Sequence, residues 1–270
     1  MRITVLGSGT SHGVPMIGCR CAVCTSADPR NRRTRTSCAL DLGGRTLLVD
    51  ATPDLRAQAL AAGLERVDAV CLTHAHADHL MGFDDLRRFA ELAGRALPVY
   101  ASPATLGRAR QVFEYALTDA AFGLFGIPVV EWRALTGPVD LWGHRLTPVT
   151  LEHGLYPATG LRLDAPDGAS LAWCPDCCGI PAASAARLRG LDLLCLDGLR
   201  HEPHPTHFTV AEAVRWVRRL APRRALLVHM THDLDHAATE AALPRAPEVP
   251  GGIGLAYDGL TVEVGRPPPA

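Results

Sequence analysis

The sequence predicts a layered α/β protein, and three observations support this. Short, mostly apolar runs read as buried strands, and amphipathic stretches of helical period lie between them. At 270 residues, 47% of them hydrophobic, the chain can bury a large core. Run after run then finishes in His or Asp, as expected where rigid strand ends gather functional loops at one edge of a sheet.

Lys plus Arg number 27 against 28 for Asp plus Glu. That balance gives no general pull toward nucleic acid or an anionic membrane, so neither is expected as a partner. The stretch MRITVLGSGTSHGV holds no continuous apolar core of a signal peptide, and no uncharged apolar window of membrane-spanning length follows; a cytoplasmic chain is expected. Of the nine cysteines, three lie in Cys19–Cys24 and three in Cys174–Cys178, which suggests metal or thiol chemistry before a disulfide framework. Residues 1–264 read as one domain, and the proline-rich 265–270 as a disordered tail.

Arg2 to Leu6 is a strand running into a glycine-rich loop, Gly7 to Gly13. The loop lacks the P-loop lysine, so a tight turn bordering a site competes with a phosphate cradle. Cys19, Cys21 and Cys24 can fill three corners of a tetrahedral zinc site, the fourth ligand coming from elsewhere. Asp28 to Arg35 holds four arginines, either a solvated loop or a set of phosphate forks. Cys38–Leu42 and Arg45–Val49 form a hairpin around Gly43-Gly44. Asp50 ends the second strand and either orients a ligand histidine or caps the helix Leu55–Leu64.

Val67 to Thr73 is a buried strand that delivers His74, His76, Asp78 and His79, followed by Gly82. Three imidazoles and a carboxylate are poor core material but common donors for zinc and similar ions. Asp84–Leu92 is a helix and Leu97–Tyr100 a strand. Residues 104–117 have a helical period, read first as a packing helix and second, with Phe122–Gly126, as a flap. His144 reads as a hairpin-turn residue. His153 follows Leu146–Leu151, Asp176 follows Ser170–Trp173, Asp197 ends Leu191–Leu196, and His229 ends Ala225–Val228. This recurrence marks them as the remaining ligands. Cys174-Pro175-Asp176-Cys177 also fits a Cys-x-x-Cys pair, but it lies deep in the chain without a thioredoxin-like pattern after it. Thr209 and Glu212 form a capping box opening the helix Val210–Leu220, which fixes His207 just ahead of a helix N-terminus. His201 and His204 read as plain loop residues. His229 and His232 are spaced so that one reaches the main cluster and the other the cysteines.

HAHADH resembles the H-x-H-x-D-H signature of the metallo-β-lactamase superfamily. GSGTSHGVPMIGCRCAVC, DPRNRRTRTS, LVDATPDLR and the late H-x-x-H resemble its PhnP-like branch, the phosphoribosyl 1,2-cyclic phosphodiesterases. The resemblance implies an αββα sandwich of two mixed sheets flanked by helices, and a two-metal site of zinc or manganese. It assigns His74, His76 and His153 to one ion, Asp78, His79 and His229 to the other, and Asp176 as the bridge. It further implies a structural zinc on Cys19, Cys21, Cys24 and His232, and His207 and Asp78 as catalytic residues. Pro175 and Cys177 depart from the branch's pattern around Asp176. The implied reaction is hydrolysis of a small cyclic phosphodiester, by a water whose pKa the paired cations lower toward neutrality. A homodimer is expected from the family. Nuclease, lactonase or ester hydrolase activity would use the same metals, and a non-catalytic metal-binding relative shares the cysteine motif.

Overall fold

The computed structural model describes residues 1–116 and 127–265. The suggested flap, Phe122–Gly126, and the tail beyond Gly265 lie outside the described residues.

Two seven-stranded mixed sheets form the frame. The first contains β1 (Arg2–Gly7), β2 (Ser37–Asp41), β3 (Thr46–Val49), β4 (Ala69–Cys71), β5 (Leu97–Ala101) and β6 (Val130–Ala134). The second contains β7 (Val139–Leu141), β8 (His144–Leu151), β9 (Ala158–Asp164), β10 (Ser170–Cys174), β11 (Leu193–Asp197), β12 (Arg224–Val228) and β13 (Ile253–Leu255); β14 (Thr261–Glu263) returns to pair with β1. Strands β3 to β6 run parallel, as do β10 to β13. Strand β8 is antiparallel to β9, which is antiparallel to β10, so β8 points the same way as β10. The loops after β8, β10, β11 and β12 therefore leave one edge of the second sheet together.

Alternation along the strands sets the layers. Leu47 and Val49 meet Leu171, Trp173, Leu193 and Cys195 in the core between the sheets. Leu48 and Val70 face outward onto α1 (Leu55–Ala61), α3 (Leu86–Ala93) and α4 (Pro103–Val112). Leu194 and Leu196 face the opposite way, onto α5 (Ala182–Arg187) and α6 (Val210–Leu220). The result is the expected αββα sandwich. Two more short helices, α2 (Ala77–Leu80) and α7 (His236–Ala242), flank functional loops.

Several boundaries differ from expectation. The strand read over Val67–Thr73 pairs only through Ala69–Cys71, because its ends turn into loops. Helix α3 starts at Leu86, after a 3-10 turn over Phe83–Asp85, and α4 ends at Val112, short of the expected 117. His144 opens β8 instead of occupying the turn, which is Trp142-Gly143. The arginine run is not a solvated loop throughout. Arg33 is buried and donates to the Thr231 and Leu234 carbonyls at 2.8 and 2.7 Å, and Arg35 pairs with Asp54 at 3.0 Å. Among the described residues no helix is long and apolar enough to cross a membrane.

Two contacts outside the His/Asp cluster itself carry stability predictions. Gly82 donates to the Ala51 carbonyl at 2.9 Å, and a Cβ there would collide with the Thr52 carbonyl oxygen. Gly82→Ala should therefore cost about 3 kcal/mol through a forced backbone shift, and a melting temperature equal to wild type would refute that. Buried Asp68 binds Arg66 at 2.7 Å, Arg45 at 3.0 Å and the Thr46 N–H at 2.9 Å. Burial opposes its charge, but Arg66, the Thr46 N–H and Arg45 prevail and hold it below the usual carboxylate range. A depressed pKa adds stability above the unfolded value of about 3.9, which is lost as pH falls through the lower folded value. Asp68→Asn should lower the melting temperature at neutral pH and flatten its decline below about pH 4. An unchanged acid limb would contradict this.

Candidate metal centre

The central motif enters from β4. Backbone turning after Leu72 places His74 and His76 before α2, and Asp78 and His79 on its first turn. His74 Nε2 lies 2.9 Å from His76 Nδ1, which lies 3.2 Å from His153 Nε2. Zn–N bonds of about 2.0–2.1 Å place neighbouring ligand nitrogens roughly 3 Å apart, so this triad fits one ion. Beside it, His79 Nε2 and His229 Nε2 lie 3.3 and 3.5 Å from Asp78 Oδ2. Asp176 Oδ2 sits between the two groups, 3.3 Å from His79, 3.4 Å from His229, 3.7 Å from His74 and 3.9 Å from His153.

The donor set fits divalent cations on an observation independent of spacing. His79 Nε2, His229 Nε2 and Asp176 Oδ1 are buried without a hydrogen-bond partner, an arrangement that is costly unless something else binds them. The outward nitrogens of His79 and His153, by contrast, are held, whereas His229 Nδ1 has no partner either. His79 Nδ1 donates to Asp50 Oδ2 at 2.8 Å, and His153 Nδ1 donates to the Thr206 carbonyl at 2.9 Å. Each contact fixes the tautomer that leaves Nε2 with a free lone pair. Asp50 also accepts from the Thr73 N–H at 2.7 Å, while the Asp54 side chain makes no cap bond to α1; of the two readings of Asp50, orienting a histidine is the one its contacts support. Asp50 and His229 both hold positive φ, 65° and 63°. Such strained backbone at non-glycine residues concentrates at functional sites.

The charges answer one another. Burial opposes ionisation of Asp176 and Asp78, yet the neighbouring imidazoles hold both carboxylates well below their ordinary range. Burial likewise opposes charge on His79, and Asp176, Asp78 and Asp50 outweigh it. At His74 and His153 burial outweighs the pull of Asp176 and pushes both down, His153 to about 4.

His207 stands at the rim. The capping box places it: Glu212 N donates to Thr209 Oγ1 at 3.1 Å, and Thr209 N to Glu212 Oε2 at 2.9 Å. Its ring stacks on His229 at 4.7 Å between centroids and meets His153 edge-on at 4.8 Å. Burial and His229 push it down to about 3. Asp197 corrects the strand-end pattern: it anchors His207, taking Nδ1 at 2.7 Å, and also accepts the Cys177 N–H at 2.9 Å. Cys174 and Cys177 are buried free thiols, and burial raises both.

The second cluster lies on the loop after β12. His232 Nδ1 is 3.2, 3.4 and 3.6 Å from the sulfurs of Cys19, Cys21 and Cys24. The Cys24 N–H and His232 draw the Cys21 thiol down to about 6, while burial pushes Cys24 up to about 11. This four-residue set suits a structural zinc. Arg33 grips the same loop at Thr231 and Leu234. His201 is exposed, as a loop residue should be, but His204 is half-buried with its ring 5.0 Å from that of His207. Nothing in the sequence marks Thr206, whose carbonyl orients His153.

Two facing mixed sheets with a His/Asp cluster at one edge define the metallo-β-lactamase class of α/β sandwich. The chain belongs to the beta-lactamase superfamily, whose domain model matches residues 45–230, and within it to the PhnP-like branch. It superposes on a diphosphatase of the PhnP family with a TM-score of 0.86 and 41% identity, covering 97% of each chain. It is 35% identical over 265 residues to the octanoyltransferase of Porphyromonas gingivalis, matching 96% of this chain and 51% of that protein. The chain thus spans about half the length of that relative. It is also 33% identical over 227 residues to coenzyme PQQ synthesis protein B of Methylorubrum extorquens, covering 73% of each.

Proposed function

We propose that this chain is a metal-dependent hydrolase of small phosphoric diesters, with a cyclic diester of the phosphoribosyl 1,2-cyclic phosphate type as its first candidate substrate. The observation that carries this is the convergence of His74, His76, His153, Asp78, His79 and His229 around Asp176 Oδ2. The first three would hold one zinc or manganese ion, the next three a second, and Asp176 would be shared. Such ions, when bound, lower the pKa of a water and offset charge gathering on phosphoryl oxygens.

The chain's own residues orient and protonate. Asp50 and the Thr206 carbonyl lock the rings of His79 and His153. Asp197 accepts the Nδ1–H of His207, which leaves the Nε2 lone pair to take a proton from the attacking water and pass it to the departing ribose oxygen. Water supplies the oxygen of the new P–O bond, the bond to the ribose oxygen breaks, and a phosphomonoester results. His207→Ala should keep its metals and lose about 10²–10⁴-fold in turnover. Metal content falling together with activity would remove His207 from this role.

A second reading, hydrolysis of a diphosphate linkage in the same site, is favoured by the 41% identical diphosphatase. A panel of cyclic phosphates, bis-p-nitrophenyl phosphate, diphosphates and lactones, assayed with defined zinc and manganese, tests the proposal. Turnover of lactones with none of any phosphate ester would overturn it.

A further inference from the structure

His204 has no part in the site as described so far, yet its surroundings are built. Its Nδ1 receives the Thr206 N–H at 3.3 Å and lies 3.2 Å from Thr206 Oγ1. A ring nitrogen that accepts a backbone N–H carries no proton, so the proton of neutral His204 is on Nε2. The loop holding the ring is braced by Arg200, which donates to the Glu202 and Pro203 carbonyls at 3.1 and 2.9 Å. The ring is half-buried, tilted 51° against His207 at 5.0 Å between centroids. His207 in turn packs on His153 and His229. A fixed N–H donor thus stands one ring further out than the group assigned to the leaving oxygen. A substrate with a single phosphoryl group leaves that donor without an anionic partner.

We infer that His204 binds the departing phosphoryl group of a diphosphate, so that the bond cut is the P–O bond to the bridging oxygen between two phosphorus atoms. This rests on the reading that the His/Asp cluster hydrolyses phosphoric linkages. Water's oxygen bonds to the phosphorus held at the cluster. The bridging bond breaks with its electron pair on the departing phosphate, which takes up a proton through His207. Two phosphomonoesters form, and Nε2–H of His204 donates to a non-bridging oxygen of the one that leaves.

The test uses metal-loaded protein with two probes, ADP-ribose, which carries a diphosphate, and bis-p-nitrophenyl phosphate, which does not. His204→Ala should raise KM for ADP-ribose about tenfold, the loss expected for one hydrogen bond to a charged group, with kcat changed far less. The ratio of kcat/KM for ADP-ribose over the aryl diester should fall by a similar factor. His204→Gln, whose amide N–H falls near the place of Nε2, should recover most of it. Metal content should match wild type in both variants. A ratio unmoved by His204→Ala, or metal lost with it through Thr206 and His153, overturns the inference. Wild-type turnover of the aryl diester without any of ADP-ribose sinks the inference and spares the broader reading; turnover of neither sinks both.

Discussion

Asp176→Ala should abolish hydrolysis, with turnover falling by more than about 10³-fold. Loss of one electrostatic stabiliser at a reacting centre alone costs about 10²–10³-fold, and this carboxylate is shared by both halves of the cluster. Its Oδ2 lies 3.3–3.9 Å from the ring nitrogens of His74, His79, His153 and His229, so a single oxygen reaches both groups. Substitution also leaves His79 Nε2 and His229 Nε2, already without hydrogen-bond partners, with Asp78 as the one remaining carboxylate of the two they share. Metal content of the variant, measured beside activity, should fall by both catalytic ions while the cysteine-bound zinc stays. Retention of full metal and near-normal turnover would show that Asp176 is a spectator.

Cys21→Ser should have the largest effect on stability. Structural zinc binds zinc-finger peptides with about 10–16 kcal/mol, and even a fraction of that is large against the total stability of a domain. A loss of about 3–5 kcal/mol corresponds to a melting temperature lower by roughly 10 °C. The reason is specific to this chain: His232 ties the cysteine loop to the segment after β12, three residues beyond His229. Zinc content should drop by one ion per chain, and chelation of wild type should reproduce the shift. A melt superimposable on wild type would argue against a zinc there.

Most of the site was legible because strand ends are legible. Short apolar runs stopping at His153, Asp176 and His229 place those residues at one edge, provided the strands run the same way. The sheet order supplies that condition: β8, β10, β11 and β12 all point toward the cluster. Asp197 shows the limit of the same pattern, since a strand-end carboxylate can face a cation or a neighbouring imidazole, and only the position of His207 decides. Asp50 was open for a similar reason; its partner His79 is 29 residues away, brought near by β3 pairing beside β4. Arg33 was hidden by composition, because a run of arginines carries no sign of which one is buried. His204 and Thr206 sit in a proline-broken loop, whose lack of periodicity conceals that its backbone orients His153.

Anomalous diffraction from crystals loaded with zinc, and separately with manganese, locates the ions themselves. Two neighbouring peaks should flank the Asp176 carboxylate, one against His74, His76 and His153 and one against Asp78, His79 and His229. A third, zinc-only peak should lie among the four ligand atoms of Cys19, Cys21, Cys24 and His232. A single peak among the histidines, or none beside Asp176, would contradict a two-metal centre.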